Sequence, residues 1–115
     1  MIEFELFFQI RFLFCLLLNM RVKVQFNGGL ELVTGATEVQ AEIAGCDEIA
    51  MPAFLEWVHK NLVKSDAQPF LVPGGNVRPG ILVLINDSDW ELEGCLDYVV
   101  QSGDTITFIT TLHGG

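Results

Sequence analysis

Beyond residue 20 only one stretch of this chain repeats its apolar side chains at helical spacing, and strand-like stretches stand on both sides of it. Phe54, Leu55, Val58 and Leu62 recur at intervals that share one helix face, and Pro52 suits a first turn, where its missing N–H leaves no bond unmade. A single amphipathic helix over 52–64 is expected, with Trp57 as a partly buried ring and His59 as a solvated imidazole on its flanks. A helix with one apolar stripe needs another element to cover it, and here that element has to be a sheet.

The strands follow from alternation. Val22, Val24 and Phe26 interleave with Arg21, Lys23 and Gln25, which makes one face of a half-buried strand. Asn27-Gly28-Gly29 then turns the chain, and Leu30 and Leu32 read as the second strand of a hairpin. Val39, Ala41 and Ile43 form a shorter alternation, either a strand or an extended loop. After the helix, residues 65–80 contain Pro69, Pro73, Gly74, Gly75, Pro79 and Gly80 and read as a crossover loop. The five aliphatics Ile81-Leu82-Val83-Leu84-Ile85 predict a strand buried on both faces at a central sheet position. Residues 86–89 read as a turn, 90–93 as a short edge strand and 94–98 as a tight corner. Ser102-Gly103-Asp104 then turns into a last strand over 105–110. This order predicts an α+β domain of β-grasp type, a mixed sheet packed on one main helix. With the last strand inside the sheet, residues 111–115 leave the domain as a projecting tail of roughly 15 Å when extended.

The chain has 115 residues, 50% of them hydrophobic, enough for one compact domain. Its 15 acidic and 6 basic side chains give a formal charge of -9, which repels phosphate backbones, so direct binding to nucleic acid is not expected. An acidic surface suits a partner with a basic docking face. The three cysteines, Cys15, Cys46 and Cys95, are too few and too far apart for a disulfide framework, a zinc knuckle or an iron–sulfur motif, and fit a reducing compartment.

Residues 1–19 differ from the rest. They are rich in Phe and Leu, yet Glu3, Glu5, Gln9 and Arg11 interrupt them, and the longest apolar run, 12–18, falls short of the roughly 20 residues that span a bilayer. The stretch opens acidic and runs into Asn19-Met20-Arg21, unlike a secretory signal. It reads as a hydrophobic N-terminal extension ahead of a folded domain over 20–115, with membrane contact not expected.

Gly114-Gly115 is the sharpest motif, since 11 glycines in 115 residues place two at the end by chance only about once in a hundred chains. A terminal carboxylate is a poor electrophile until ATP turns it into an acyl-adenylate, which a thiolate, persulfide or amine then attacks. Glycine leaves that carbon unshielded, and two in a row pass through a narrow channel. Asp87, Asp89, Glu91, Glu93 and Asp97 lack the spacing of a calcium loop and read as guards of a sheet edge. Gly28-Gly29 and Gly74-Gly75 lack the Lys-Ser/Thr of a phosphate loop. His113 has no nucleophile beside it in sequence, so no catalytic residue, metal site or bound cofactor is expected.

The segments Phe54-Leu55-Glu56-Trp57-Val58-His59-Lys60-Asn61-Leu62, Val77-Arg78-Pro79-Gly80-Ile81-Leu82-Val83-Leu84-Ile85-Asn86-Asp87 and Thr111-Leu112-His113-Gly114-Gly115 closely resemble the ubiquitin-related modifier family over residues 20–115. The resemblance implies a ubiquitin-like sulfur carrier rather than an enzyme. An activating enzyme, with adenylating and sulfur-transferring activities, would use ATP to adenylate Gly115 and convert it to a thiocarboxylate. The sulfur would go, through transfer RNA thiolation enzymes, to the wobble uridine of transfer RNA. Gly115 would also be the residue joined by an isopeptide bond to lysines of target proteins, with His113 and Gly114 completing the tail. A cytoplasmic monomer is implied. Two rivals share the fold: a carrier for thiamine or molybdopterin synthesis, against which the Leu-His-Gly-Gly end argues, and a passive ubiquitin-like interaction domain.

Overall fold

A computed structural model describes residues 2–65 and 69–110 of the chain. Helix α1 (Ile2–Leu17) leads into strand β1 (Asn19–Asn27), whose strict alternation of buried and exposed residues is the one expected from Val22, Val24 and Phe26. After a short helical turn, α2 (Glu31–Thr34), come β2 (Glu38–Ala44), β3 (Glu48–Ala50) and α3 (Met51–Asn61). The second half holds β4 (Ile81–Ile85), β5 (Ser88–Asp89), two 3-10 turns (Trp90–Glu93 and Cys95–Asp97), β6 (Val99–Gln101) and β7 (Thr105–Thr110).

Five strands form one mixed sheet in the order β2-β1-β7-β4-β5. β1 runs antiparallel to β2 and parallel to β7, and β4 runs antiparallel to both β7 and β5. The last strand therefore lies in the middle of the sheet, as the sequence order requires. β3 and β6 pair in a small second sheet.

The core lies between the main sheet and α3. Met51, Phe54, Leu55 and Val58 of α3 are completely buried together with Val22, Val24 and Phe26 of β1 and Ile106 and Phe108 of β7. At about 1.5–3 kcal/mol for each large side chain removed from water, this layer is the main source of stability. Pro52 sits in the first turn of α3, but the helix ends at Asn61, short of the expected 64, because Leu62 takes up the cap and its N–H still reaches the Val58 carbonyl. Trp57 packs half-buried against the core and His59 is half-buried too.

Three expectations are corrected. Residues 30–32 are not a strand: Gly28 and Gly29 both have positive φ, the Gly29 N–H donates to the Glu31 side chain, and the chain winds through α2 until Gly35 closes it in the left-handed region. Leu30 is buried while Leu32 is 84% exposed, so these positions obey a helical turn and the hairpin partner of β1 is β2. Residues 90–93 are not an edge strand, because the Asp89 carboxylate accepts the Glu91 N–H at 2.9 Å and caps a 3-10 turn that Gly94 ends, leaving the two residues of β5 as the sheet edge. β4 is buried on only one face: Ile81, Val83 and Ile85 belong to the core, whereas Leu82 and Leu84 are half-exposed on the other side.

Candidate functional site: the root of the C-terminal tail

The residues expected to do the chemistry, His113, Gly114 and Gly115, lie outside the described residues. What is described is the platform from which they depart. Because β7 is parallel to β1, it delivers the chain to the edge of the sheet where β1 ends at Asn27 and where antiparallel β4 begins at Ile81. Asn27 pairs with Ile109, and Ile81 with Thr110.

The neighbour that matters most there is a glycine. Gly28 has φ +74°, and a Cβ at that position would stand 2.4 Å from the carbonyl oxygen of Thr110, a backbone atom with little room to yield. The turn after β1 thus comes so close to the last strand residue that no side chain fits between them. The sequence marks Gly28 as a turn residue, but its contact with the root of the tail joins two positions 82 residues apart and has no local signature.

The crossover loop braces the same corner. Phe70 is buried and meets Phe108 edge-on, with ring centroids 5.0 Å apart, while Phe26 stacks on Phe108 at 5.8 Å. Within the loop the Arg78 N–H donates to the Phe70 carbonyl, and the Ile81 N–H to the Arg78 carbonyl, so residues 70–81 lead tightly into β4. The proline and glycine content that excludes a regular element here coexists with a firmly anchored loop.

At the opposite end, β7 starts from a polar hub. Asp104 is buried, and its carboxylate accepts from the Tyr98 hydroxyl at 2.6 Å, the Gln101 N–H at 2.9 Å and the Asn86 side-chain amide at 3.0 Å. The Asn86 side-chain oxygen in turn accepts the Thr105 N–H, and the Lys23 N–H donates to the Asp104 carbonyl. These bonds set β7 in register against β1 and β4 together. Burial, the bond to Asp104 and the negative charges of Asp104 and Glu93 push the Tyr98 hydroxyl up to about 12, so it remains a donor in neutral solution. Burial, with Asp47 nearby, also pushes the Cys46 thiol up, which makes it a poor nucleophile.

The sheet face away from α3 grades from polar to apolar. At the β2 side, Arg21 pairs with Glu42 at 3.2 Å in the open. In the middle, the Thr107 hydroxyl donates to Gln25, whose amide donates to Glu38. At the β4 side lie Leu82, Leu84 and Ile109, half-exposed, with Leu82 paired to Ile109 one residue before the sheet ends. This patch was hidden in the five-aliphatic run, which periodicity alone cannot assign to one face. Among the described residues, no group of three or more His, Cys, Asp or Glu is placed to hold a metal ion, and Cys46 and Cys95 are free thiols.

A mixed five-stranded sheet on one main helix, with its last strand at the centre and aimed outward, defines a ubiquitin-like β-grasp protein. Comparison with known proteins narrows the class. The Urm1 (Ubiquitin related modifier) family model matches residues 21–115, and the chain belongs to that family. Ubiquitin-related modifier 1 of Mus musculus is 51% identical over 96 residues, covering 82% of this chain and 94% of the mouse protein. The solution structure of Urm1 from Trypanosoma brucei is 38% identical, with a TM-score of 0.66 over 84% of this chain and 97% of that one. In the crystal structure of the Amycolatopsis orientalis BexX/CysO complex, the matching chain is 26% identical, with a TM-score of 0.61 over 82% of this chain and 99% of that one. Helix α1 precedes the matched residues.

Proposed function

We propose that this protein is a sulfur carrier whose reactive atom is the carboxyl carbon of Gly115. An activating enzyme uses ATP to form an acyl-adenylate there, a persulfide displaces the adenylate, and reductive cleavage of the resulting acyl disulfide by a thiol leaves a thiocarboxylate. The sulfur then goes to 2-thiolation of the transfer RNA wobble uridine. Attack on the same activated carboxyl by a lysine amine instead gives an isopeptide bond, the protein-modifier role. Both take place in the cytoplasm, and this chain is the substrate and carrier in each.

Family membership over residues 21–115, a span that includes the Leu-His-Gly-Gly end, is the observation that carries this reading. The central position of β7 supports it, because a tail rooted in the sheet interior is held at a constant distance from whatever binds the sheet face. The half-exposed Leu82, Leu84 and Ile109 beside that root suit the docking of an activating enzyme, and the BexX/CysO complex solved for a structural relative supports a protein partner.

The test is intact-mass spectrometry of the protein after incubation with ATP, a persulfide donor and an extract holding the activating enzyme. A gain of about 16 Da, sulfur replacing oxygen, is expected on the C-terminal peptide and absent when Gly115 is deleted. No gain, with a cellular phenotype indifferent to loss of Gly114-Gly115, would favour the passive interaction domain.

A further inference from the structure

Helix α1 lies outside the family match, and the large side chains described on it stand in the open. Leu6, Ile10, Leu13 and Leu17 are 56%, 55%, 58% and 82% exposed. Their spacing of four, three and four residues is that of alternating core positions in a coiled coil, and at 3.6 residues per turn they fall within about 60° of one another. A 16-residue helix is marginal in water unless its apolar face is packed, so this seam needs a cover. With α1 included, the radius of gyration is 16.6 Å, against about 13 Å for a compact chain of this size.

We propose that α1 pairs with α1 of a second copy of this chain, antiparallel, about a two-fold axis between residues 11 and 12. The seam is self-complementary in that orientation: Leu6 faces Leu17 of the second copy and Ile10 faces its Leu13, so every layer joins two aliphatic side chains. Charge selects the same orientation. A parallel pair would set Glu3 and Glu5 beside their own copies and the two acidic bodies, of chains with net charge -9 each, side by side. The antiparallel pair sends the bodies to opposite ends of a helix about 24 Å long. It also brings each acidic first turn toward the start of the other copy's β1, where Arg21 is exposed, and opposes the two helix dipoles. At roughly 100 Å² for each seam side chain and with the flanks of the helix adding to it, the buried area approaches the lower limit for a specific, modest-affinity interface.

A bilayer fits these observations less well. No described helix is long and apolar enough to cross a membrane, α1 has no basic residue in its last turn, and two carboxylates sit at its distal end.

Sedimentation equilibrium of the full chain tests the pairing. The expected mass is twice 12.8 kDa at high concentration, falling to 12.8 kDa on dilution. Ile10→Glu with Leu13→Glu should leave a monomer whose near-ultraviolet circular dichroism, dominated by the folded body, is unchanged. Phe8→Glu, on the side of α1 away from the seam, should leave the dimer intact. Orientation is read by disulfide trapping with Cys15, Cys46 and Cys95 replaced by Ser. Mixed Leu6→Cys and Leu17→Cys chains should cross-link to each other, and neither should cross-link to itself. A full chain that stays monomeric at every concentration overturns the proposal, as does a dimer that survives the double Glu variant. Self-cross-linking at position 6 overturns the orientation, and flotation of a monomer with neutral phosphatidylcholine vesicles would assign α1 to a membrane instead.

Discussion

The two ends of β7 are secured by opposite means. At its start, a buried carboxylate gathers three donors and fixes the strand against both neighbours. At its end, a side chain is missing: Gly28 lets the β1 turn close directly over the Thr110 carbonyl. The first end locks register through polar bonds with defined directions, while the second keeps the exit narrow where the tail begins. The proposed carrier role would draw on both, since a slipped strand would move the tail and a bulky root would obstruct it.

The largest effect is expected at the exit. Gly28→Ala combines a left-handed φ with a backbone clash and should cost about 4 kcal/mol in urea denaturation. Gly75→Ala separates the two contributions, because Gly75 also has positive φ but nothing within 4 Å of its Cβ position; it should cost about 1 kcal/mol. Equal losses would show that backbone strain, not the approach to Thr110, is what Gly28 relieves.

At the start of β7, Asp104→Ala leaves the Tyr98 hydroxyl, the Gln101 N–H and the Asn86 amide without their acceptor and should cost about 2–3 kcal/mol. Slowed amide exchange loss is the finer readout: protection should fall at Thr105 first, where the Asn86 oxygen holds the N–H, before it falls at Phe108.

A smaller effect is a pH dependence. The folded state raises Tyr98 from its ordinary 10.0 to about 12, so the native protein retains a proton that the unfolded chain releases. This contribution is complete below pH 10.0 and is lost as the pH rises toward about 12. Tyr98 is the sole tyrosine, so its ionisation is followed directly by absorbance, and Tyr98→Phe should remove that part of the alkaline loss of stability. The smallest effect belongs to the polar edge of the sheet: Arg21→Ala breaks an open ion pair and should change stability by less than about 0.5 kcal/mol, a difference that shrinks further as salt is added.

Where side-chain periodicity alone decides an element, the sequence is legible. β1 and the body of α3 stand where alternation and helical spacing put them, β4 where its aliphatic run lies and β7 where the Ser102-Gly103-Asp104 turn leads, and the β-grasp order follows from them. The short elements were not legible for a physical reason. α2 and the 3-10 turn at Trp90 depend on a few local side-chain bonds, Glu31 to the Gly29 N–H and Thr34 to the Leu30 and Ala36 carbonyls in the one and Asp89 to the Glu91 N–H in the other, each of which competes with extended structure by only about 1 kcal/mol. β3 and β6, three residues each, exist because they pair with one another across 50 residues of chain and carry too few positions to show a period.

What the sequence by itself determined is the set of periods and turn residues that admit one helix on a mixed sheet, and the diglycine end on which the proposed function rests. The tertiary structure decided which face each aliphatic of β4 occupies, that Gly28 abuts Thr110, and that Asp104 meets Tyr98 and Asn86. Each of these joins residues through space, and burial or close approach is a property of the pair that neither residue's local sequence contains.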